Sequence, residues 1–358
     1  MYAGGRAVKK TQRIVQGFIL STILGLVVLG LIMNANGFDV VKTHIVRYPI
    51  PYILSAIFVA FSRWLFEAFA LIVSLLSRHK ISLWLAVKTS IVTHFFNLLT
   101  PFYSGGQPFA IYYLSKHNIE AGVSTAAILM KSLVFQAVLT GLGIFGAITC
   151  RAYLTSITLS ALLLGSFLNG SLFFVIFLFG VNRKLALWTV DSILLLLCKV
   201  RIVKNREKWR GKVLEKVHQF NDTFSEYKRH PIHIMLLTLS SIAQFFLHIL
   251  SAAVILEGFG IHLSFPLFFQ LSNMEITASV VPTPGTSGGI EYIFMLFLGQ
   301  FGPIEKISAG LVLWRFCTYY FEITALGILS FWIYRRIKEK HLALSRKLSV
   351  EESVNRTQ

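Results

Sequence analysis

The stretch Thr100-Pro101-Phe102-Tyr103-Ser104-Gly105-Gly106 returns later in the chain as Thr283-Pro284-Gly285-Thr286-Ser287-Gly288-Gly289, so that T-P-x-x-S-G-G occurs twice. Each copy interrupts a run of apolar residues. Proline pushes the threonine before it out of the helical region and so ends the arriving segment. Paired glycines admit backbone conformations that other residues adopt only at a cost, which predicts N–H groups left free in the turn. The returning segment then presents a positive helix N-terminus to the gap, and Pro108 suits the first turn of such a helix. Interrupted hydrophobic segments at corresponding places in two halves point to a transporter's site near the bilayer midplane. The competing reading is that both loops are packing devices, and two matched copies weigh against it.

Around these loops the apolar runs are 14–33, 50–76, 82–99, 121–149, 155–180, 232–256, 264–281, 288–301 and 306–334. Of the 358 residues, 55% are hydrophobic and 14% charged, against roughly 25% charged in soluble domains. Repeated apolar runs of this length meet the transmembrane criterion. The formal charge of +18 could suggest nucleic acid, but the Lys and Arg residues cluster in the gaps between apolar runs. That is the positive-inside bias of a membrane protein, and no nucleic-acid partner is expected. Cys150, Cys198 and Cys317 have no C-x-x-C spacing, so neither a disulfide framework nor a metal site is indicated. The first run lacks a small-residue cleavage site and reads as a retained helix.

Basic residues orient the spans. Arg6, Lys9, Lys10 and Arg13 place the N-terminus in the cytoplasm, the gap 34–48 is an outer loop, and Arg78, His79 and Lys80 return the chain to the inside. If 82–99 crossed, the gap 183–230, with 12 Lys or Arg against five Asp or Glu, would lie outside. A path that dips in, turns at Pro101–Pro108 and returns to Lys116 keeps that gap and the basic tail (Arg335, Arg336, Lys338, Lys340) inside. Such backbone is allowed at membrane depth where it is buried in protein or lines a cavity. The pair 264–281 and 288–301, broken by Pro282, Pro284 and Gly285, fits the same description from the outer face, with two short spans as the alternative.

The expected fold class is therefore an all-α integral membrane protein of the cell membrane. It is a polytopic helix bundle of about six full spans plus two re-entrant broken-helix pairs in an inverted repeat. The expected divisions are 1–182 and 231–336 as membrane halves, with re-entrant loops 100–108 and 282–291, then 183–230 as a basic cytoplasmic segment and 337–358 as a cytoplasmic tail. In 183–230, Trp209, Val213, Leu214, Val217, Phe220, Phe224 and Tyr227 recur at helical spacing, interleaved with Arg206, Lys208, Arg210, Lys212 and Lys216. Such a helix lies on an anionic leaflet or docks on the protein's own cytoplasmic face.

Ionisable side chains within spans cost about 2.5–3.5 kcal/mol each on insertion scales. Arg63 and Glu67, four apart, read as a self-neutralising pair. Lys88 can snorkel to the membrane edge. Lys131, deeper, calls for a carboxylate or a lipid phosphate. Glu275 lies in the second broken pair, Glu291 opens its return arm, and Arg315 and Glu322 are seven apart on the last helix with Tyr319 between them. His94, His248, Gln136 and Gln244 read as polar bridges between helices, with His94 and Asn97 near the first loop.

With these residues in view, Leu99-Thr100-Pro101 through Gly105-Gly106-Gln107-Pro108 and Val281-Pro282-Thr283-Pro284-Gly285 through Gly288-Gly289-Ile290-Glu291 resemble the signature loops of flippase-like membrane proteins. That group includes the transmembrane domain of lysylphosphatidylglycerol synthase. The resemblance implies translocation of a charged-headgroup lipid, an aminoacylated phosphatidylglycerol or a polyprenyl-linked lipid, with defence against cationic peptides as its consequence. It adds weight to Glu291 and Arg315. The expected substrate-binding residues are Thr100, Pro101, Ser104, Gly105, Gly106, Gln107, Lys131, Glu275, Thr283, Pro284, Ser287, Gly288, Gly289, Glu291 and Arg315, with Arg315 on a lipid phosphate and Glu291 or Glu275 balancing it.

Expected partners are membrane lipids with anionic or zwitterionic headgroups and a separate lipid-modifying enzyme. No catalytic residue, metal or cofactor is indicated. The alternatives are a membrane component of lysylphosphatidylglycerol synthesis or another lipid-linked transferase, and a non-transporting scaffold. The bifunctional synthases carry a soluble aminoacyl-transferase domain after the membrane part, and this sequence has only a short tail there. No G-x-x-x-x-G-K-[ST] text appears, so any driving force is expected from a lipid gradient, ions, protons or a partner.

Overall fold

A computed structural model describes residues 19, 22–199, 206–333 and 335. The basic N-terminal residues and the expected tail 337–358 lie outside the described residues. Those that are described form helices and turns, with no strand among them. Five helices are long and apolar enough to cross a membrane: α3 (Ile50–Leu75), α6 (Ala121–Thr149), α7 (Ser156–Val181), α10 (Pro231–Glu257) and α13 (Ile304–Ile333). A sixth span is added if α1 (Thr22–Ala35) and α2 (Phe38–Val46), which meet at 109°, are counted together. The chain is thus an all-α polytopic membrane protein. Side-chain caps define several starts: Ser82 accepts from the Leu85 N–H, Thr155 from Thr158 and Ser264 from Leu267. Each satisfies a donor that the helix leaves unpaired.

Two helical hairpins complete the bundle. In the first, α4 (Leu83–Leu99) packs on α5 (Gly106–Ser115); in the second, α11 (Phe265–Ala278) packs on α12 (Gly289–Leu298). The return arms α5 and α12 have 10 residues each, about 15 Å of helix against a hydrocarbon core of about 30 Å. The turns of the two hairpins, Pro101–Tyr103 and Pro284–Thr286, pack on each other, so the repeated motif meets itself inside the protein. Around them α3 and α10 run side by side. Gly143 and Gly146 of α6 and Gly165 of α7 let α11 approach closely, against Ile276, Asn273 and Phe269. Small residues serve this purpose between membrane helices.

The segment 183–230 is two helices, α8 (Arg183–Lys199) and α9 (Arg206–Glu226). Arg210 clamps the Asp191 carboxylate through Nε and an Nη at 2.6 and 2.9 Å, tying α9 to α8. The apolar stripe of α9 faces the protein: Phe224 and Tyr227 are buried with Met130, Leu133, Val134 and Leu237. The Tyr227 hydroxyl donates to the Ser74 carbonyl, and Asn221 donates to the Phe179 and Gly180 carbonyls. The helix is thus docked on the protein's own face. The side chains of Arg206, Lys208, Trp209 and Lys212 lie outside the described ones.

Candidate functional site

The two T-P-x-x-S-G-G loops share a backbone path. Thr100 and Thr283 are extended (φ −119°, ψ 149° and φ −98°, ψ 150°). The third and fourth residues are left-handed in both copies, Phe102 and Tyr103 at φ 56° and 51°, Gly285 and Thr286 at φ 58° and 53°. Left-handed backbone costs an ordinary residue roughly 1–2 kcal/mol, so the first loop tolerates strain that Gly285 avoids in the second. The copies diverge at the glycines. Gly288 has φ 88°, whereas Gly105 is right-handed at φ −75°. Gly105 and Gly106 serve space instead, because a Cβ there would overlap Thr100 and the Thr93 carbonyl.

Three of the four glycine N–H groups expected to be free are instead taken up within the protein. Gly105 N–H donates to Thr100 Oγ1 at 2.7 Å and Gly106 N–H to Asn97 Oδ1 at 2.9 Å. In the second loop, Gly288 N–H donates to Glu291 Oε2 at 2.7 Å. The protein caps its own helix ends, as buried backbone donors require. Among the other predicted residues, Ser104 donates to the Pro101 carbonyl, Thr283 to the Ser287 carbonyl, and Gln107 reaches across to Ser132 of α6 at 3.1 Å. Gly289 sits tightly against Val281.

Arg315 closes the second loop from α13. Its Nε lies 2.8 Å from Glu291 Oε1, and an Nη donates to Ser287 Oγ at 3.0 Å and the Gly285 carbonyl at 3.3 Å. The Tyr319 ring stacks on the guanidinium at 4.3 Å, and Gly285 fits beside that ring only because it has no Cβ, which would overlap it. Arg315 and Glu291 are both buried. Seven residues on, Glu322 does not share this environment. A π turn at Phe316–Tyr320 breaks the register between them, so Glu322 faces α3 and α4. Such turns concentrate at functional places.

Glu322 belongs to a second and larger cluster. It lies 3.2 Å from Arg63 of α3 and 3.3 Å from His94 of α4, and Trp64 Nε1 donates to it at 2.9 Å. Arg63 also contacts His94 Nε2 and His248 Nδ1 of α10, each at 2.8 Å. His248 Nε2 in turn lies 2.8 Å from Glu275 of α11. Lys131 of α6 is held by Glu67 of α3 at 2.8 Å. The reading of Arg63 and Glu67 as partners is therefore corrected, since each turns to a different helix. One helical turn of spacing permits the pair, but the opposite charges offered by other helices decide it.

Arg63 lies near the middle of the 26-residue α3, so this cluster sits at the depth where charge is most costly. It joins α3, α4, α10, α11 and α13, and α6 through the Lys131–Glu67 contact. Tyr103, on the strained first loop, lies in the electrostatic field of Arg63, Arg315, Glu275 and Glu322 together. Lys131 and Glu275 were legible candidates, and both are placed here. Arg63, Glu67, His94, His248 and Glu322 were legible only as ionisable or polar residues inside apolar runs. Gln244 does bridge helices, donating to the Phe66 carbonyl at 3.5 Å. Gln136 Oε1 is buried without a hydrogen bond.

An all-α bundle in which two broken helical hairpins meet at an intramembrane ion-pair network defines a class of polytopic membrane protein built around a polar interior. The chain belongs to the family described as the lysylphosphatidylglycerol synthase TM region, whose model matches residues 18–327. It is also similar to a UPF0104 membrane protein of Archaeoglobus fulgidus, 26% identical over 274 residues that cover 73% of this chain and 80% of that protein.

Proposed function

We propose that this protein moves a lipid with a charged headgroup, an aminoacylated phosphatidylglycerol or a polyprenyl-linked lipid, between the leaflets of the cell membrane. The observation that carries this reading is the cluster at mid-bundle. Arg63, His248 and Glu275 retain 16%, 21% and 15% of their side-chain exposure, whereas Glu322 and Glu291 retain none. Ionisable residues within membrane helices that are not sealed by packing mark substrate or ion pathways. In this reading the headgroup passes along the exposed edge of Arg63, Lys131, Glu67, His248 and Glu275 while the acyl chains stay in lipid. The sealed Arg315–Glu291 pair holds the second loop in shape. Both termini are taken to be cytoplasmic, on the charge pattern of the loops.

The family description favours one further reading, a membrane component of lipid synthesis that works beside a lipid-modifying enzyme. Leaflet exchange of fluorescent and aminoacylated phosphatidylglycerol in liposomes holding the purified protein separates the two. Transport predicts rapid exchange, slowed about tenfold or more in a folded Lys131→Gln/Glu67→Gln variant, which removes both charges while keeping side-chain shape. Absence of exchange with every lipid offered overturns the transport reading and favours the synthetic one.

A further inference from the structure

Among the described residues, the charges of the mid-bundle network and the second loop do not balance. Three cations, Arg63, Lys131 and Arg315, stand against four carboxylates, Glu67, Glu275, Glu291 and Glu322, while Lys88 lies in the first turns of α4, over the Trp84 ring. Lys131 answers Glu67, Arg315 answers Glu291 and Arg63 answers Glu322. Glu275 has His248, 2.8 Å away, as its partner. The tautomer of that histidine follows from its neighbours. A guanidinium only donates, so His248 Nδ1, 2.8 Å from Arg63 Nη1, must accept. The ring proton is then on Nε2, where it donates to Glu275 Oε1 at 2.8 Å. With that tautomer His248 carries no charge, and among the described residues the Glu275 carboxylate has no formal counter-charge.

A proton from water added to Nδ1 would make His248 an imidazolium and supply that counter-charge. It would also place two donors face to face, His248 Nδ1–H against the Arg63 N–H. Protonation of His248 and the Arg63–His248 contact therefore exclude each other. The groups around this pair are Glu67 from α3, His94 from α4, Lys131 from α6 through its contact with Glu67, Glu322 from α13 and the neutral hydroxyl of Tyr103, while Arg315 and Glu291 cancel each other at the second loop. The charges among them, counted with Arg63 and Glu275, sum to one excess negative charge. Histidine is the side chain whose ordinary charge change falls nearest neutral pH.

We propose that His248 is a proton-binding site whose protonation releases Arg63 to take the phosphate of a lipid headgroup, so that an anionic headgroup enters together with a proton. The step forms one N–H bond at His248 Nδ1 with a proton taken from solvent and breaks the Arg63–His248 hydrogen bond, with no other covalent change. The coupling to lipid passage rests on the transport reading above, whereas the exclusion between the His248 proton and Arg63 does not.

The test has two arms. In the first, a short-chain phosphatidylglycerol is added to the detergent-purified protein in weakly buffered solution near pH 7, and proton uptake is read with a pH dye. Wild type is expected to take up about one proton per bound lipid by linkage, and folded His248→Gln and Glu275→Gln variants essentially none. Inorganic phosphate at the same concentration is expected to elicit no uptake, and a full response to it would overturn the assignment to a lipid. Unchanged uptake in His248→Gln, or loss confined to His94→Gln, would overturn the assignment to His248. No uptake in wild type that binds the lipid would do the same. In the second arm, exchange of phosphatidylglycerol in liposomes is followed from pH 8 to pH 6. Wild type is expected to accelerate about tenfold and His248→Gln to stay flat. A wild type that takes up the proton but exchanges no lipid removes the transport reading and leaves the proton site standing.

Discussion

Arg63 and Glu322 stand 259 positions apart in the chain and 3.2 Å apart in the fold. Their contact, with His94 and His248 on the same guanidinium, binds α3 to α4, α10 and α13 at the level where the two repeated loops meet. A membrane interior offers little hydrophobic reason for helices to associate, so packing and polar contacts carry that task.

Arg315 is expected to be needed for folding. Arg315→Ala leaves Glu291 buried with its charge unanswered and removes the donors to Ser287 and Gly285. The loss should be roughly 3–5 kcal/mol, read as a large drop in thermal unfolding temperature in detergent. Combining Arg315→Met with Glu291→Gln removes both charges and should recover a substantial part. A double variant as unstable as the single one would contradict the pairing.

The third position of the repeated loop allows a reciprocal test. Phe102 is left-handed and its side chain is largely exposed, so Phe102→Gly should change stability by no more than about 1 kcal/mol, relief of strain offsetting the added freedom of the unfolded chain. Gly285→Phe, the reverse change in the other copy, has no space beside Tyr319 and should yield no folded protein. Equal tolerance at both positions, judged by size-exclusion profile and unfolding temperature, would count against the shared backbone path.

Lys131 and Glu67 should behave as a unit. Each single change to alanine strands a charge that is mostly removed from water, and a double-mutant cycle should return a coupling of roughly 1–3 kcal/mol. Additive single effects would show that the two side chains do not meet in the membrane.

The docked position of α9 depends on Phe224, which fills the space that Gly180 leaves open. Phe224→Ala should cost about 3–5 kcal/mol and make α9 more susceptible to limited proteolysis. Unchanged cleavage would place that helix away from the bundle.

The membrane class and the spans were legible because bilayer thickness converts directly into apolar run length. The runs 121–149 and 82–99 became α6 (Ala121–Thr149) and α4 (Leu83–Leu99) with almost no shift. The paired loops were legible because proline and glycine act on the backbone wherever they stand, and Thr100 and Thr283 are indeed extended before their prolines. The partners of the charges were not legible. Arg63 could have met Glu67 on its own helix, and Arg315 and Glu322 share a face until a π turn separates them. Electrostatic pairing depends on distance, and the distances here are set by which helices lie side by side. The sequence by itself determined that this protein lives in a membrane and that its chain breaks twice there. Only the tertiary structure decided which carboxylate answers which cation, and that Glu275 is left to a histidine.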